Sequence, residues 1–202
     1  MTPVRVLMRA LCVATLMTGA TVLLAQAPAA PPATSPAAQS AAPALPAEAT
    51  ANPVVWSAKL LYQRDAKNMM AAADEMPADK YSYHPTPDQW TFGKVVSHIA
   101  QSNGGLCAAL GGGTAPAALT VSDTASKADL MAALKASFDY CGPVLDGLTD
   151  AKLGETVTVF HRTLPRATAL VALPVDLADH YSQMASYLRL NGMLPPSAQP
   201  RK

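Results

Sequence analysis

Residues 176–197 read DLADHYSQMASYLRLNGMLPPS. Leu177, Tyr181, Met184 and Leu188 recur at steps of three and four, which is the period of one buried face of an α-helix. Leu170 and Leu173 extend that stripe upstream, with Pro174 either near the start of the helix or at a kink. Asn191-Gly192 followed by Pro195-Pro196 stops it. A second stripe, Asp176, His180, Gln183 and Tyr187, advances by four, three and four and runs along the edge of the first. Residues four apart on a helix sit about 5–6 Å apart at Cβ. Asp176 and His180 can therefore share one metal ion.

Working outward from this helix, the same period appears three more times. Asn52-Pro53 reads as a cap and a first-turn proline, and Val55, Ala58, Tyr62, Ala66, Met69, Ala73 and Met76 then form one stripe until Pro77. Ala78 to Trp90 holds Pro85 and Pro87 without periodicity and reads as a connection. Thr91 caps a second helix, with Phe92, Val95, Ile99, Leu106 and Ala109 as its apolar face and Gly111-Gly112-Gly113 as its end. Ser126-Lys127-Ala128-Asp129 is a capping box with Asp in place of Glu. It opens a third helix carrying Leu130, Leu134, Ser137, Cys141, Leu145 and Leu148, where Gly142-Pro143 predicts a kink. ETVTVFHR (155–162) reads as a short extended connector. Strand signals are otherwise nearly absent, and the pattern predicts an all-α four-helix bundle over residues 53–197, followed by a short tail, 198–202.

The N-terminus is an address rather than fold. Arg5 and Arg9 precede an apolar run from Ala10 to Leu24 and then Ala25-Gln26-Ala27, which reads as a signal peptide over 1–27 cut after Ala25 or Ala27. The run is short of the roughly 20 apolar residues of a spanning helix, so no stable membrane insertion is expected after cleavage. Leu11 before Cys12 does not fit lipoprotein processing. Residues 28–52 are almost wholly Ala, Pro, Ser, Thr and Gln and are expected to form a disordered linker. The chain has 15 basic and 14 acidic residues, and losing Arg5 and Arg9 leaves 13 against 14. Nothing basic remains to hold nucleic acid. A periplasmic or secreted location follows, where Cys107 and Cys141 are either bridged or two small buried hydrophobes.

Four histidines are present. His98 borders the core of the second helix and offers a third ligand, so two His and one carboxylate from two helices would leave coordination positions open, as in catalytic zinc and facial-triad iron sites. The plainer reading is two hydrogen-bonded histidines with Asp176 fixing the tautomer of His180. His84 and His161 fall in loops, where polar residues without chemistry are the rule. Trp56 and Trp90 read as core or end-cap aromatics.

WTFGKVVSHIAQSN (90–103), DHYSQMASYLRLNGMLPPS (179–197) and the preceding loop YSYHPTPDQW (81–90) resemble the DinB-like, or YfiT-like, family of four-helix bundles. The resemblance implies a divalent metal, zinc or nickel with iron or manganese as further options, held by one His of the second helix and two of the last spaced four apart. His98 matches the first of these and His180 the last, while the middle position is Asp176, which would make the set His2Asp. Ser182 stands where the family has Gly. Exported relatives carry cysteines where Cys107 and Cys141 lie, which favours the bridge. The implied activity is metal-dependent hydrolysis or transfer on an unidentified small molecule; the alternative is a non-catalytic periplasmic bundle with a degenerate site. Homodimerisation through an exposed helix face is a third expectation.

Overall fold

The computed structural model describes residues 44–200. The signal peptide, most of the linker and residues 201–202 lie outside that range. Five helices and one hairpin occur among the described residues: α1 Ala47–Ala51, α2 Pro53–Glu75, α3 Phe92–Gly111, α4 Lys127–Asp146, β1 Thr156–Val159, β2 Arg162–Pro165 and α5 Arg166–Leu190. The four long helices form the bundle. α3 packs most extensively on α4 and α2 on α5, and the α3–α5 seam that carries the candidate ligands is the next largest.

Each apolar stripe read from the sequence faces this core. Val55, Tyr62, Met69 and Met76 of the α2 stripe are buried, as are Val95, Ile99 and Leu106 on α3, Leu130, Leu134 and Leu145 on α4, and Leu170, Leu173, Leu177, Met184 and Leu188 on α5. Helix boundaries also follow the local chemistry. Thr91 accepts a hydrogen bond from the Lys94 amide, and Ser126 accepts one from the Asp129 amide. Gly112 ends α3 in the left-handed region, φ 70°, where the absence of Cβ removes the usual penalty.

Two expectations need correcting and two are refined. The linker was drawn to residue 52, but Ala47–Ala51 forms a helical turn whose Ala49 is buried and whose Glu48 pairs with Lys59 at 2.9 Å. Alanine is the best helix former, and one ion pair and one buried contact fix the turn against α2. Asn52 stands at the cap position of α2 with Pro53 as the first helical residue, but it makes no side-chain cap bond. Its side chain instead accepts from the Asp150 amide, and the Asp150 carboxylate takes the first free amides of the helix, from Val54 at 3.0 Å and Val55 at 2.9 Å. A full negative charge serves the N-terminal dipole better than a neutral amide, and it comes from a distant turn that no local pattern reveals. Pro174 lies inside α5, which begins at Arg166. ETVTVFHR is more than a connector, since Thr156–Val159 pairs antiparallel with Arg162–Pro165 and buries Val157 and Val159.

The hairpin turns on Phe160 and His161, both at positive φ, 46° and 66°. Two-residue turns of this kind prefer Asn-Gly, because bulky residues pay a steric cost there. Phe160 lies against Gly105 of α3, where an added Cβ would meet its ring at 3.1 Å, so the contact holds the turn. Relief at the second position alone is expected to stabilise: His161→Gly should raise stability by about 1 kcal/mol. Denaturant titration reads this as a higher midpoint at unchanged slope. An unchanged or lower midpoint would show that the turn carries no strain at His161.

The connection from α2 to α3 folds back on the start of α3. The Tyr83 and Tyr81 carbonyls accept from the Phe92 and Gly93 amides at 2.9 and 2.8 Å, satisfying donors that a helix start leaves open. A side chain at Gly93 would come within 2.7 Å of the Asp123 carbonyl, so only glycine permits this approach. Tyr187 clamps the loop from α5, with its ring edge-on to Tyr83 at 5.9 Å and its hydroxyl donating to the Trp90 carbonyl at 2.9 Å. Trp90 is thereby fixed one residue ahead of the α3 cap.

Candidate metal centre

His98 on α3 and Asp176 and His180 on α5 meet across the seam between the two helices. One donor atom from each lies within 4.8 Å of the others. Two donors on one ion at ordinary bond lengths are at most about 4.4 Å apart, so small side-chain rotations suffice to bring the set onto one ion. The imidazole rings of His98 and His180 stand 4.7 Å apart at 72°. His180 is 6% exposed, and its Nδ1 is buried with no hydrogen-bond partner among the described residues. Two imidazoles and a carboxylate at this spacing are a donor set that holds a divalent cation with coordination positions left open. The residues present therefore fit a divalent metal.

Asp176 is held from both sides. One oxygen lies 3.5 Å from His180 Nε2, and the other accepts from the Ser102 hydroxyl at 2.8 Å. Ser102 is one turn beyond His98 on α3. Its spacing of four from His98, on the same helix face, is the signal by which the sequence could have shown it. An outer hydroxyl of this kind orients a ligating carboxylate.

The three groups perturb one another. Burial disfavours the charged ring of His98, and the charge of His180 adds to this, so its pKa lies below the ordinary histidine value despite Asp176. Burial acts the same way on His180, but the hydrogen bond and charge of Asp176, with Asp179 and Gln183 behind, outweigh it and raise its pKa. Burial opposes ionisation of Asp176 too, yet hydrogen bonds from His180 and Ser102 leave its pKa below the usual carboxylate range. For the metal-free fold the signs follow. The raised His180 contributes stability that is complete below its unfolded pKa and lost as pH climbs through the folded one, whereas Asp176 contributes above its unfolded pKa and is lost on acidification. Protonating His98 works against the fold below about pH 6.5.

Other candidates are placed elsewhere. Gln183 donates to Asp179 and Tyr187 to the Trp90 carbonyl, so neither joins the cluster. His84 Nδ1 bonds the Thr86 carbonyl within its loop, and His161 lies at the hairpin turn. Among carboxylates outside the cluster, Glu75 accepts from the Gln199 amide and Glu155 pairs with Arg166. Cys107 and Cys141 form a buried disulfide that ties α3 to α4. No helix among the described residues is long and apolar enough to cross a membrane.

Two solved structures share this architecture. A DinB-like protein from Bacillus cereus ATCC 10987 superposes with a TM-score of 0.59 at 19% identity, over 70% of this chain and 95% of that one. A DinB-like protein of Bacillus subtilis, YjoA, gives 0.57 at 21% identity, over 74% of this chain and all of its own length (100%). At such identities the likeness is one of fold. No curated protein matches the chain. The helices that carry His98, Asp176 and His180 fall within residues 61–184 or run just past them, and since that span matches the DinB superfamily, the chain belongs to it.

Proposed function

We propose that the protein is an exported domain that binds one divalent metal through His98, Asp176 and His180. The observation that carries this reading is the convergence of the three donors within 4.8 Å. Zinc or nickel suits two imidazoles, and the carboxylate widens the choice toward iron and manganese. When bound, such an ion supplies Lewis acidity that lowers the pKa of a coordinated water or polarises a substrate oxygen. The chain's own part is to hold the donors, with Ser102 and the backbone of two packed helices fixing Asp176. Three protein donors leave room for a small molecule, which supports metal-dependent hydrolysis or transfer as the activity. The second reading is a non-catalytic binding bundle; it is favoured by the absence, among the described residues, of a further carboxylate in the cluster to act as base.

The test is elemental analysis of protein purified from the periplasm, followed by thermal unfolding with added zinc or nickel. Stoichiometric metal and a melting temperature that rises with metal concentration are expected. Metal-free protein whose unfolding is unmoved by either ion would remove the proposal. Hydrolase screens on esters, amides and phosphoesters with loaded and stripped protein then separate the catalytic from the binding reading.

Protonation gives an independent check. Ligands must be unprotonated, and His98 is held neutral while His180 is held toward its charged form. Binding should therefore release protons, more from His180 than from His98, and affinity should fall as pH drops through the range in which His180 protonates. Calorimetry in buffers of different ionisation enthalpy reads the proton count. No proton release near neutral pH would mean that His180 is not displaced from its pairing with Asp176.

A further inference from the structure

We infer that Trp90 is the gate of this centre, the side chain that decides how readily an ion or small ligand reaches His98 and His180; the inference builds on the metal-binding reading above. The indole lies nearly parallel to the His180 ring, at 16° and 6.1 Å between centres, and tilted over His98 at 4.9 Å. It is 37% exposed, whereas His180 behind it is 6% exposed, so the indole separates the imidazole from solvent. Lys94 flanks the indole, with Nζ 5.0 Å from the ring centre.

The better-formed cavities, of about 630, 480, 110 and 290 Å³, are lined by residues other than His98, Asp176 and His180. The Asp176 side chain is 27% exposed, so the centre meets solvent on that side, whereas entry on the side of the buried His180 needs a movable wall. Trp90 meets that need because its anchor is on the main chain: the Tyr187 hydroxyl holds the carbonyl, while the ring is held by packing on the two imidazoles and by Lys94. Rotation about its two side-chain torsions opens the centre without disturbing the Thr91 cap or the Phe92 and Gly93 amides, which bond other groups. The loop thus fixes where the indole starts, and the weaker aromatic contacts set how often it leaves.

The experiment compares the exported protein with its Trp90→Ala and Trp90→Phe variants in two ways. Zinc uptake by the metal-stripped protein, and zinc removal from the loaded protein by excess EDTA, are followed by stopped flow. Both rates should rise in Trp90→Ala by at least about fivefold, the scale of losing two contacts of aromatic-pair strength, with a smaller change in affinity; Trp90→Phe should fall between. In the metal-stripped protein, carbethoxylation of His98 and His180 is followed by mass spectrometry, with His84 and His161 as internal references. Both shielded histidines should react faster relative to the references in Trp90→Ala. If affinity weakens while uptake is unchanged and the histidines stay as protected as before, Trp90 is a packing residue and the inference is overturned. If the unaltered protein takes up no metal, the metal reading fails on its own, and the labelling of the stripped protein still decides the gate. Loss of fold in Trp90→Ala would show in circular dichroism, and Trp90→Phe then supplies both readings.

Discussion

His98→Ala and His180→Ala are each expected to reduce zinc or nickel affinity by more than about a hundredfold, since disturbing a group that merely orients a ligand already costs 10–100-fold. At a metal concentration about 100 times the dissociation constant, binding stabilises the unaltered fold by about 2.7 kcal/mol. The two variants should show no metal-dependent rise in melting temperature at that concentration. Ser102→Ala, which leaves all three donors in place, belongs at the lower end of the 10–100-fold range. The sharper question concerns Asp176. If it ligates, Asp176→Ala should weaken binding more than Ser102→Ala does, and Asp176→His, which restores the three imidazoles implied by the family resemblance, should tighten zinc and nickel. The site has room for the exchange, because the Asp176 side chain is 27% exposed. Should Asp176→Ala bind as well as the unaltered protein, the carboxylate serves only to orient His180, and the set reduces to two histidines.

These expectations rest on a seam whose parts differed in how far the sequence disclosed them. The stripes at three and four were readable because burial on a helix repeats with the helix itself. Thr91, Ser126 and Gly112 were readable because a helix end is satisfied by its immediate neighbours. His98 and His180 could be picked out, but their meeting depends on how α3 and α5 pack, and no periodicity carries that information. The family resemblance supplied it. The Asp150 carboxylate at the start of α2 and the Ser102 hydroxyl on Asp176 escaped notice for one reason: each links positions far apart in the chain, by 96 and 74 residues. Asp65 shows the limit of pattern from another side. It sits in α2 at 3% exposure where periodicity gives no special place to a charge, and only its two bonds to Arg64, at 2.8 and 3.0 Å, make its burial intelligible. The hairpin turn was missed because Phe-His lacks the Asn-Gly signature that marks such turns.

The bridge between Cys107 and Cys141 should carry the largest single share of the domain's stability. It closes a span of 34 residues across α3 and α4, and a loop of that length restricts the unfolded chain by an amount worth about 4 kcal/mol. The double replacement Cys107→Ala/Cys141→Ala is expected to lower the melting temperature by about 8–16 °C for a domain of this size. Ala is the right substitute, because both sulfurs are fully buried and Ser would add two hydroxyls in need of partners. The effect acts mainly through the unfolded state, so metal affinity measured well below the transition should change little even though α3 also carries His98. That separation is what distinguishes a staple from a part of the site. Burial makes a kinetic prediction as well: a reductant reaches these sulfurs only when α3 and α4 part, so the rate of reduction should follow the rate of opening and rise steeply with temperature. If exported, denatured protein reacts with maleimide at both thiols before any reductant is added, the bridge is not formed in the cell. If the double variant unfolds within a degree or two of the original, the helices are held together by Leu106, Leu110, Leu134 and Leu145, and the bridge is incidental to the fold.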